Sequence, residues 1–309
     1  MAAIDVTDLH KHYGSNHAVD GVSFHVDQGE VYALLGENGA GKSTTVEILE
    51  GHREPSSGAV SVLGVNPAKA DRKFRDRIGI VLQSSGVETE FTVREVIDLY
   101  SSAYSNPRSL DEVVGLTGLD EKVDERVGSL SGGQKRRVDL ALGIVGRPEM
   151  LFLDEPTTGF DPSARRKSWD LIEALIADGT TVLLTTHYLD EAEHLADRVG
   201  VLMQGRMVAE GAPAELINRL SGTIVSFDVP DSISLDAAAG TFAEVLGAQV
   251  SMSGRLIEVR VDQPTVAVHR LTGWAIEQSL ELEGLSVRRA SLEDVFLELT
   301  GEYGVGSGS

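Results

Sequence analysis

Cysteine is absent from all 309 residues. That excludes disulfides and thiolate metal sites, and it fits a reducing compartment. Long apolar runs are absent too. No stretch reaches the roughly 18 residues a membrane-crossing helix needs, so the chain is not expected to span a bilayer by itself. Met1 to Asp8 lack a basic segment followed by an apolar one, so no secretory signal is expected. Positive charge is scarce: 27 Lys and Arg stand against 48 Asp and Glu, a net charge of −21. Such a field repels phosphate backbones and makes general nucleic-acid binding a poor expectation. It leaves room for a small nucleotide, which needs only one local anion site. What is present suffices for a sizeable core, with 41% hydrophobic and 24% charged residues. The length suggests two domains at about 150 residues each.

Short apolar runs alternate with helical patterns. Val31 to Leu35, Ile78 to Leu82, Met150 to Leu153, Thr181 to Thr185 and Val199 to Met203 read as strands buried on both faces. Thr92-Val93-Arg94-Glu95 reads as a capping box, after which Val96, Leu99, Tyr100 and Ala103 follow at helical spacing. Val138, Ala141, Leu142 and Val145 repeat that spacing before Gly146-Arg147-Pro148. The alternation predicts an α/β fold around a parallel sheet. Composition shifts near Leu220, and lysine is absent from residue 222 onward. Residues 222–303 are expected to form a small α+β domain with five basic and 13 acidic side chains, net −8. Its strands are expected at 223–229, 255–261 and 285–289, its helices at 234–246, 263–281 and 292–299. Residues 304–309, rich in glycine and serine, are expected to be a flexible tail.

Gly36-Glu37-Asn38-Gly39-Ala40-Gly41-Lys42-Ser43 matches G-x-x-x-x-G-K-[ST], follows a predicted strand and opens a helix at Thr44. The glycines let successive backbone N–H groups turn around a polyphosphate, and the helix N-terminus adds positive charge. Lys42 is placed to bridge terminal phosphates and the Ser43 hydroxyl to ligate Mg²⁺. Met150 to Leu153 delivers Asp154 and Glu155 at the carboxyl end of a strand, where α/β sheets bind ligands. Asp154 would hold Mg²⁺, and Glu155 would polarise an attacking water. Leu130-Ser131-Gly132-Gly133-Gln134 starts a further helix and offers a second backbone anion site.

In this order, Gly36–Ser43, Leu130–Gln134 and Leu153-Asp154-Glu155-Pro156 resemble the ATP-binding subunit of an ABC transporter across roughly residues 3–220. The resemblance implies a P-loop NTPase (RecA-like) parallel core, an antiparallel β subdomain and a helical signature subdomain at about 84–147, within an ATP-binding domain of residues 1–221. It implies ATP and Mg²⁺ as cofactors. By position, Tyr13 matches the aromatic residue stacked on adenine, the alternative being a half-buried strand tyrosine. Gln83 matches the glutamine that contacts Mg²⁺ and water. Asp161, in Gly159-Phe160-Asp161-Pro162, matches the loop coupling two ATP sites, although Phe160 stands where the family commonly has leucine. His187 matches the histidine contacting the γ-phosphate. His10, His12 and His17 have no acidic or cysteine partner at ligand spacing, so a solvated strand and turn is expected there rather than a metal site.

The resemblance further implies a head-to-tail dimer with a second ATP-binding subunit, an identical copy if the dimer is symmetric. It also implies a separate membrane permease and a location at the cytoplasmic membrane face. Phe91, Val93, Val96 and Ile97 either receive the permease or pack as ordinary core. The ending Ser291-Leu292-Glu293-Asp294-Val295-Phe296-Leu297-Glu298-Leu299-Thr300-Gly301 is similar to the drug-exporter branch, that of the daunorubicin-resistance ATPases. A soluble ABC ATPase working without a permease would use the same parts. The net charge, the single cassette and this ending disfavour it. A P-loop kinase would lack Leu130–Gln134, and a GTPase would need an Asn-Lys-x-Asp base reader, which is not found.

Overall fold

The structure is a computed structural model that describes residues 2–82, 86–87, 89–219 and 222–305. The chain folds as two compact units, residues 1–213 and 214–309.

In the first unit, a hairpin of β1 (Ala2–Tyr13) and β2 (Asn16–Asp27) pairs with β4 (Ser57–Val62) in an antiparallel sheet of order β2-β1-β4. The second sheet contains β3 (Val31–Leu35), β5 (Ile78–Val81), β6 (Met150–Asp154), β7 (Thr181–Thr186), β8 (Arg198–Met203) and β9 (Arg206–Gly211), in the order β5-β6-β7-β3-β8-β9. All its pairings are parallel except β8 with β9. Every residue of β3 and β7 is buried, as strands covered on both faces require. The antiparallel edge departs from the all-parallel expectation. Gln204 and Gly205 both have positive φ, 49° and 81°, which suits a two-residue hairpin turn, and the chain folds back instead of crossing over. One core joins the two sheets, with Leu9 and Phe24 packed among Tyr32, Leu34, Phe152 and Leu183. The rings of Phe24 and Tyr32 stack with centroids 5.1 Å apart.

Helix α1 (Lys42–Leu49) follows β3, and the short α2 (Arg72–Arg75), capped by Asp71, precedes β5. Three helices then build a separate cluster: α3 (Val93–Ser101), α4 (Leu110–Thr117) and α5 (Gly132–Ile144). Thr92 and Glu95 close a reciprocal capping box on α3. The buried face of α3 is Val93, Val96 and Ile97, which pack on Val113, Val138 and Ala141 as core. This differs from the stripe predicted from spacing: Leu99 is 55% and Tyr100 42% exposed. The helix ends at Ser101, and α4 and α5 cover the neighbouring face, so only Val96 of that stripe is enclosed. Helices α6 (Pro162–Ala177) and α7 (Leu189–Leu195) connect the remaining strands.

Helix α8 (Pro213–Arg219) begins at the last residue of the first unit, and the rest of it belongs to the second. The second unit then runs β10 (Thr223–Asp228), α9 (Leu235–Leu246), β11 (Val250–Ser253), β12 (Leu256–Val261), α10 (Pro264–Glu277), β13 (Ser286–Arg289) and α11 (Leu292–Val305). The strands form an antiparallel sheet of order β11-β12-β10-β13, the ferredoxin-like split βαβ arrangement. Strand β11 has no counterpart among the sequence expectations. It has only four residues and is largely exposed, and pairing with β12 across Gly254 defines it. Phe242 and Leu271 cover Val225, Phe227, Ile257 and Val259 from one side. Residues of the exporter-like ending serve this unit's own packing. Asp294 accepts from the Ser291 backbone N–H (2.7 Å) and from the Arg288 guanidinium (2.6 Å), while Leu292 and Val295 are buried.

Candidate functional site

Strand β3 ends in the loop that bends into α1. Gly36, Gly39 and Gly41 have φ of 155°, 85° and 103°, conformations that favour glycine. Space is limiting as well. A Cβ on Gly36 would lie 2.4 Å from the Leu202 carbonyl oxygen, and one on Gly41 2.4 Å from that of Ala18. Gly41 is the N-cap of α1 and supplies no side-chain bond, so the first-turn N–H groups stay directed at the groove above them. That groove is a cavity of about 460 Å³ lined by Tyr13, Asn38, Lys42, Ser43, Asp154 and Glu155, among others. Three sequence-predicted elements, Tyr13, the phosphate loop and the acidic strand end, thus meet at one place although up to 142 residues separate them.

Lys42 is buried, and its Nζ donates to the carbonyls of Gly36 (2.6 Å) and Glu37 (3.1 Å). Burial lowers its pKa, and Glu155 and Asp154 pull it back up. Asp154 ends β6, where its carboxylate accepts from the hydroxyl of Thr185 on β7. Glu155 has φ 47°, and its backbone N–H donates to the Thr185 carbonyl (3.0 Å). Its Oε1 is 3.1 Å from His187 Nδ1, and its Oε2 accepts from the Thr158 hydroxyl (3.1 Å). The carboxylate is thereby aimed from two sides, beside a half-exposed imidazole. Tyr13 ends β1 at the hairpin tip and is 42% exposed, with Lys11 Nζ 5.3 Å and Arg53 Cζ 5.5 Å from its ring centre. Gln83 lies outside the described residues.

Asp161 caps α6 by accepting from the N–H groups of Ser163 and Ala164, both at 2.9 Å. Ser131 and Gln134 form a capping box on α5. The signature residues do not line the phosphate-loop cavity. Gly132 has open space where a Cβ would stand, and the nearest atom to such a Cβ on Gly133 is a Phe160 ring carbon at 3.9 Å.

The histidines require a correction. His10 does have acidic partners, Asp8 at 3.1 Å and Asp20 at 3.3 Å. Strand register, not sequence spacing, brings Asp20 opposite His10. Among the described residues no group of three or more His, Asp or Glu is arranged to hold a metal. An Mg²⁺ that keeps its waters would need only one or two protein oxygens plus substrate phosphates. The Ser43 hydroxyl and the Asp154 carboxylate, both on the cavity wall, fit that donor set.

Sequence reading missed two residues around the site. Arg136 of α5 is buried, and its guanidinium donates to backbone carbonyls at the ends of two strands: Leu82, Asp154 (2.8 Å), Glu155 (3.1 Å) and Pro156 (3.0 Å). Burial lowers its pKa, with Asp139 opposing, but an arginine stays charged. The signal available was a cation in the stripe Arg136, Leu140, Gly143, Ile144, otherwise apolar. Glu191, fully buried on α7, accepts from Trp169 Nε1 of α6 (3.2 Å), linking the helix after His187 to the helix after Asp161.

Comparison with known proteins agrees with this geometry. A family model described as ABC transporter matches residues 19–158, and one described as ABC transporter domain-containing protein-like, C-terminal domain, matches 223–291. The chain is 40% identical over 307 residues to the Nod factor export ATP-binding protein I of Burkholderia pseudomallei (strain 1710b), covering 97% of this chain and 98% of that one. The protein of the same name from Rhizobium etli is also 40% identical, with 97% and 94% covered. Among solved structures, an ATP-binding subunit of an ABC transporter aligns with TM-score 0.65 and 30% identity over 71% of this chain and 92% of its own. A dimeric ATP-binding cassette in a post-hydrolysis state, bound to ADP and Pi, aligns with TM-score 0.62 and 25% identity over 68% and 98%. A phosphate loop built into one cavity with Asp154 and Glu155, and whole-length likeness to these relatives, lead to one conclusion: the chain belongs to the ABC transporter family as an ATP-binding subunit, and its reaction is ATP hydrolysis.

Proposed function

We propose that this chain powers export through a separate membrane permease by closing on ATP as a head-to-tail pair with a second, identical copy. The observation that carries the pairing is the state of the two signature glycines. Gly132 and Gly133 have no positive φ and no crowding that would demand glycine, yet they weaken the start of α5. Bare backbone with open space above it suits an anion brought by another molecule. In the pair, ATP lies between the phosphate loop of one copy and Ser131–Gln134 of the other, and donors from both sides neutralise its charge.

Each site residue then has a role. Tyr13 stacks on adenine. The N–H groups from Gly36 to Thr44 cradle the phosphates, and Lys42 turns from the Gly36 and Glu37 carbonyls to the terminal phosphates. Ser43, Asp154 and Gln83 would hold Mg²⁺, which would supply charge screening between the phosphates. Glu155 positions and polarises the attacking water, and His187 contacts the γ-phosphate. Asp161 couples the two sites. Loss of phosphate removes part of the shared charge compensation, and the pair opens.

Relatives named for export support the transporter reading over a soluble ATPase. Among the described residues no helix is long and apolar enough to cross a membrane. In this reading a separate permease crosses it, and the chain works at the cytoplasmic membrane face. Exposed Phe91, Leu99 and Tyr100 on the helical cluster are where it docks. In this reading residues 1–221 bind ATP, 222–303 form an accessory domain, and 304–309 are a tail. The cargo class is drugs or other hydrophobic compounds, as in the drug-exporter branch. The test is Glu155→Gln. It is expected to bind ATP, to hydrolyse it at least about 100-fold more slowly, and to double in mass by light scattering when ATP is added. A variant that stays monomeric with ATP overturns the pairing.

A further inference from the structure

Arg136 stands five residues after the signature serine, on the same helix, yet its guanidinium serves the other side of the site. Its five N–H groups are all directed. Nε donates to the Pro156 carbonyl at 3.0 Å. One terminal nitrogen donates to the carbonyls of Asp154 (2.8 Å) and Glu155 (3.1 Å). The other donates to the Leu82 carbonyl and faces Asp139, 3.7 Å away. The residue is 7% exposed. One planar group therefore holds three segments: helix α5, the end of β5 one residue before Gln83, and the end of β6 through Pro156.

Asp154 is the last residue of β6, and Leu82, Glu155 and Pro156 lie just beyond their strands, where backbone groups need partners outside the ladder. The Glu155 peptide is the demanding one. Its φ of 47° is a conformation that β-carbon side chains adopt only when their surroundings impose it. Thr185 holds its N–H at 3.0 Å and Arg136 holds its carbonyl at 3.1 Å, so the backbone is clamped on both sides of the residue whose carboxylate meets His187. Turning that peptide swings the carboxylate out of place.

We propose that Arg136 is a positioning residue that ties the signature helix to the backbone of Glu155, so that displacement of α5 is felt as a change in where the water-activating carboxylate points. This rests on the assignment of Glu155 given above. Lysine cannot substitute, because a compact ammonium lacks the planar fork that reaches four carbonyls.

The experiment uses the full chain and compares Arg136→Lys, Arg136→Gln and Arg136→Ala with the unaltered protein. Steady-state ATP hydrolysis, ATP binding by titration and thermal midpoints are measured. The expected result is a fall in kcat of about 100-fold, the scale of misplacing a catalytic group by about 1 Å, with ATP affinity changed less than about threefold. Millimolar methylguanidinium is expected to restore kcat in Arg136→Ala about tenfold, and methylammonium is expected not to, because only the former reproduces the fork. If Arg136→Ala does not fold, Arg136→Lys decides through its split between kcat and affinity. Unchanged kcat with only a lower melting point would reduce Arg136 to a structural residue, and equal loss of affinity and kcat would do the same. If Glu155→Gln hydrolyses ATP as fast as the unaltered chain, the underlying assignment has failed, whatever Arg136 does.

Discussion

The phosphate loop and the signature are both glycine-rich segments that open a helix, and they differ in how much of their surroundings the chain itself supplies. Around Gly36 and Gly41 the wall is complete: carbonyls of Leu202 and Ala18 stand where a side chain would go. The helix that follows lacks a side-chain cap, so its N–H groups are left for a ligand. At the signature the situation reverses. Ser131 and Gln134 cap their helix, and above Gly132 there is open space. Glycine in the loop is explained by intrachain packing, and glycine in the signature is not. In the proposed pairing, the loop is the half of an anion site that one chain completes, and the signature is the half that a second copy meets.

The largest test of this contrast is Lys42→Ala, which removes the cation that sits inside the finished half. ATP turnover should fall by about 100- to 1,000-fold, the scale for losing a preorganised charge stabiliser. Normal kcat there would mean that the cavity is misassigned. Ser131→Arg addresses the unfinished half. It should leave ATP binding within about threefold while lowering turnover by at least about tenfold, since binding and closure then fail separately. Equal turnover in the two proteins would argue against any role for the signature. Stability should separate the glycines as well. Gly41→Ala is expected to destabilise by about 1–3 kcal/mol through left-handed backbone strain, whereas Gly132→Ala should lose nothing and gain up to about 1 kcal/mol of helix propensity. Urea midpoints of the two variants read this directly, and a Gly132→Ala penalty as large as that of Gly41→Ala would erase the distinction.

A smaller effect concerns the far end of α1. Glu50, almost fully buried after that helix, has its pKa pushed up to about 8, first by burial and then by Asp154 and Glu47. A carboxyl raised in the folded state binds more protons there than in the unfolded chain, so stability falls as pH rises from the ordinary carboxyl range towards 8. Glu50→Gln should therefore be more stable than the unaltered protein at pH 8, and that advantage should shrink towards pH 5. A constant difference across this range would show that Glu50 ionises normally.

Much of the site was legible before the fold was known, because its elements are local. Gly36 to Ser43 need only a strand before and a helix after, and both can be recognised from neighbours. The capping box at Thr92 is equally local. The misreadings have a common cause. Leu99 and Tyr100 follow helical spacing as well as Val96 does, but which side of α3 is enclosed depends on where α4 and α5 lie. Strand β11 is only four residues long, too short to show a period of its own, and pairing with β12 defines it. Of the acidic neighbours of His10, Asp20 comes from strand register.

Sequence alone determined where backbone N–H groups would gather, which acids would stand at a strand end, and which helices could begin where they do. Those outcomes depend on residues within a turn or two of each other, where φ preferences, caps and apolar periodicity act directly. Tertiary structure alone decided that Arg136 would grip the carbonyls of Leu82 and Glu155, 54 and 19 residues away. It also decided that Thr185 would hold Asp154 and that His187 would meet the Glu155 carboxylate. Such pairings arise only when strands adjacent in the sheet but distant in the chain end at the same level, a relation that no local propensity encodes.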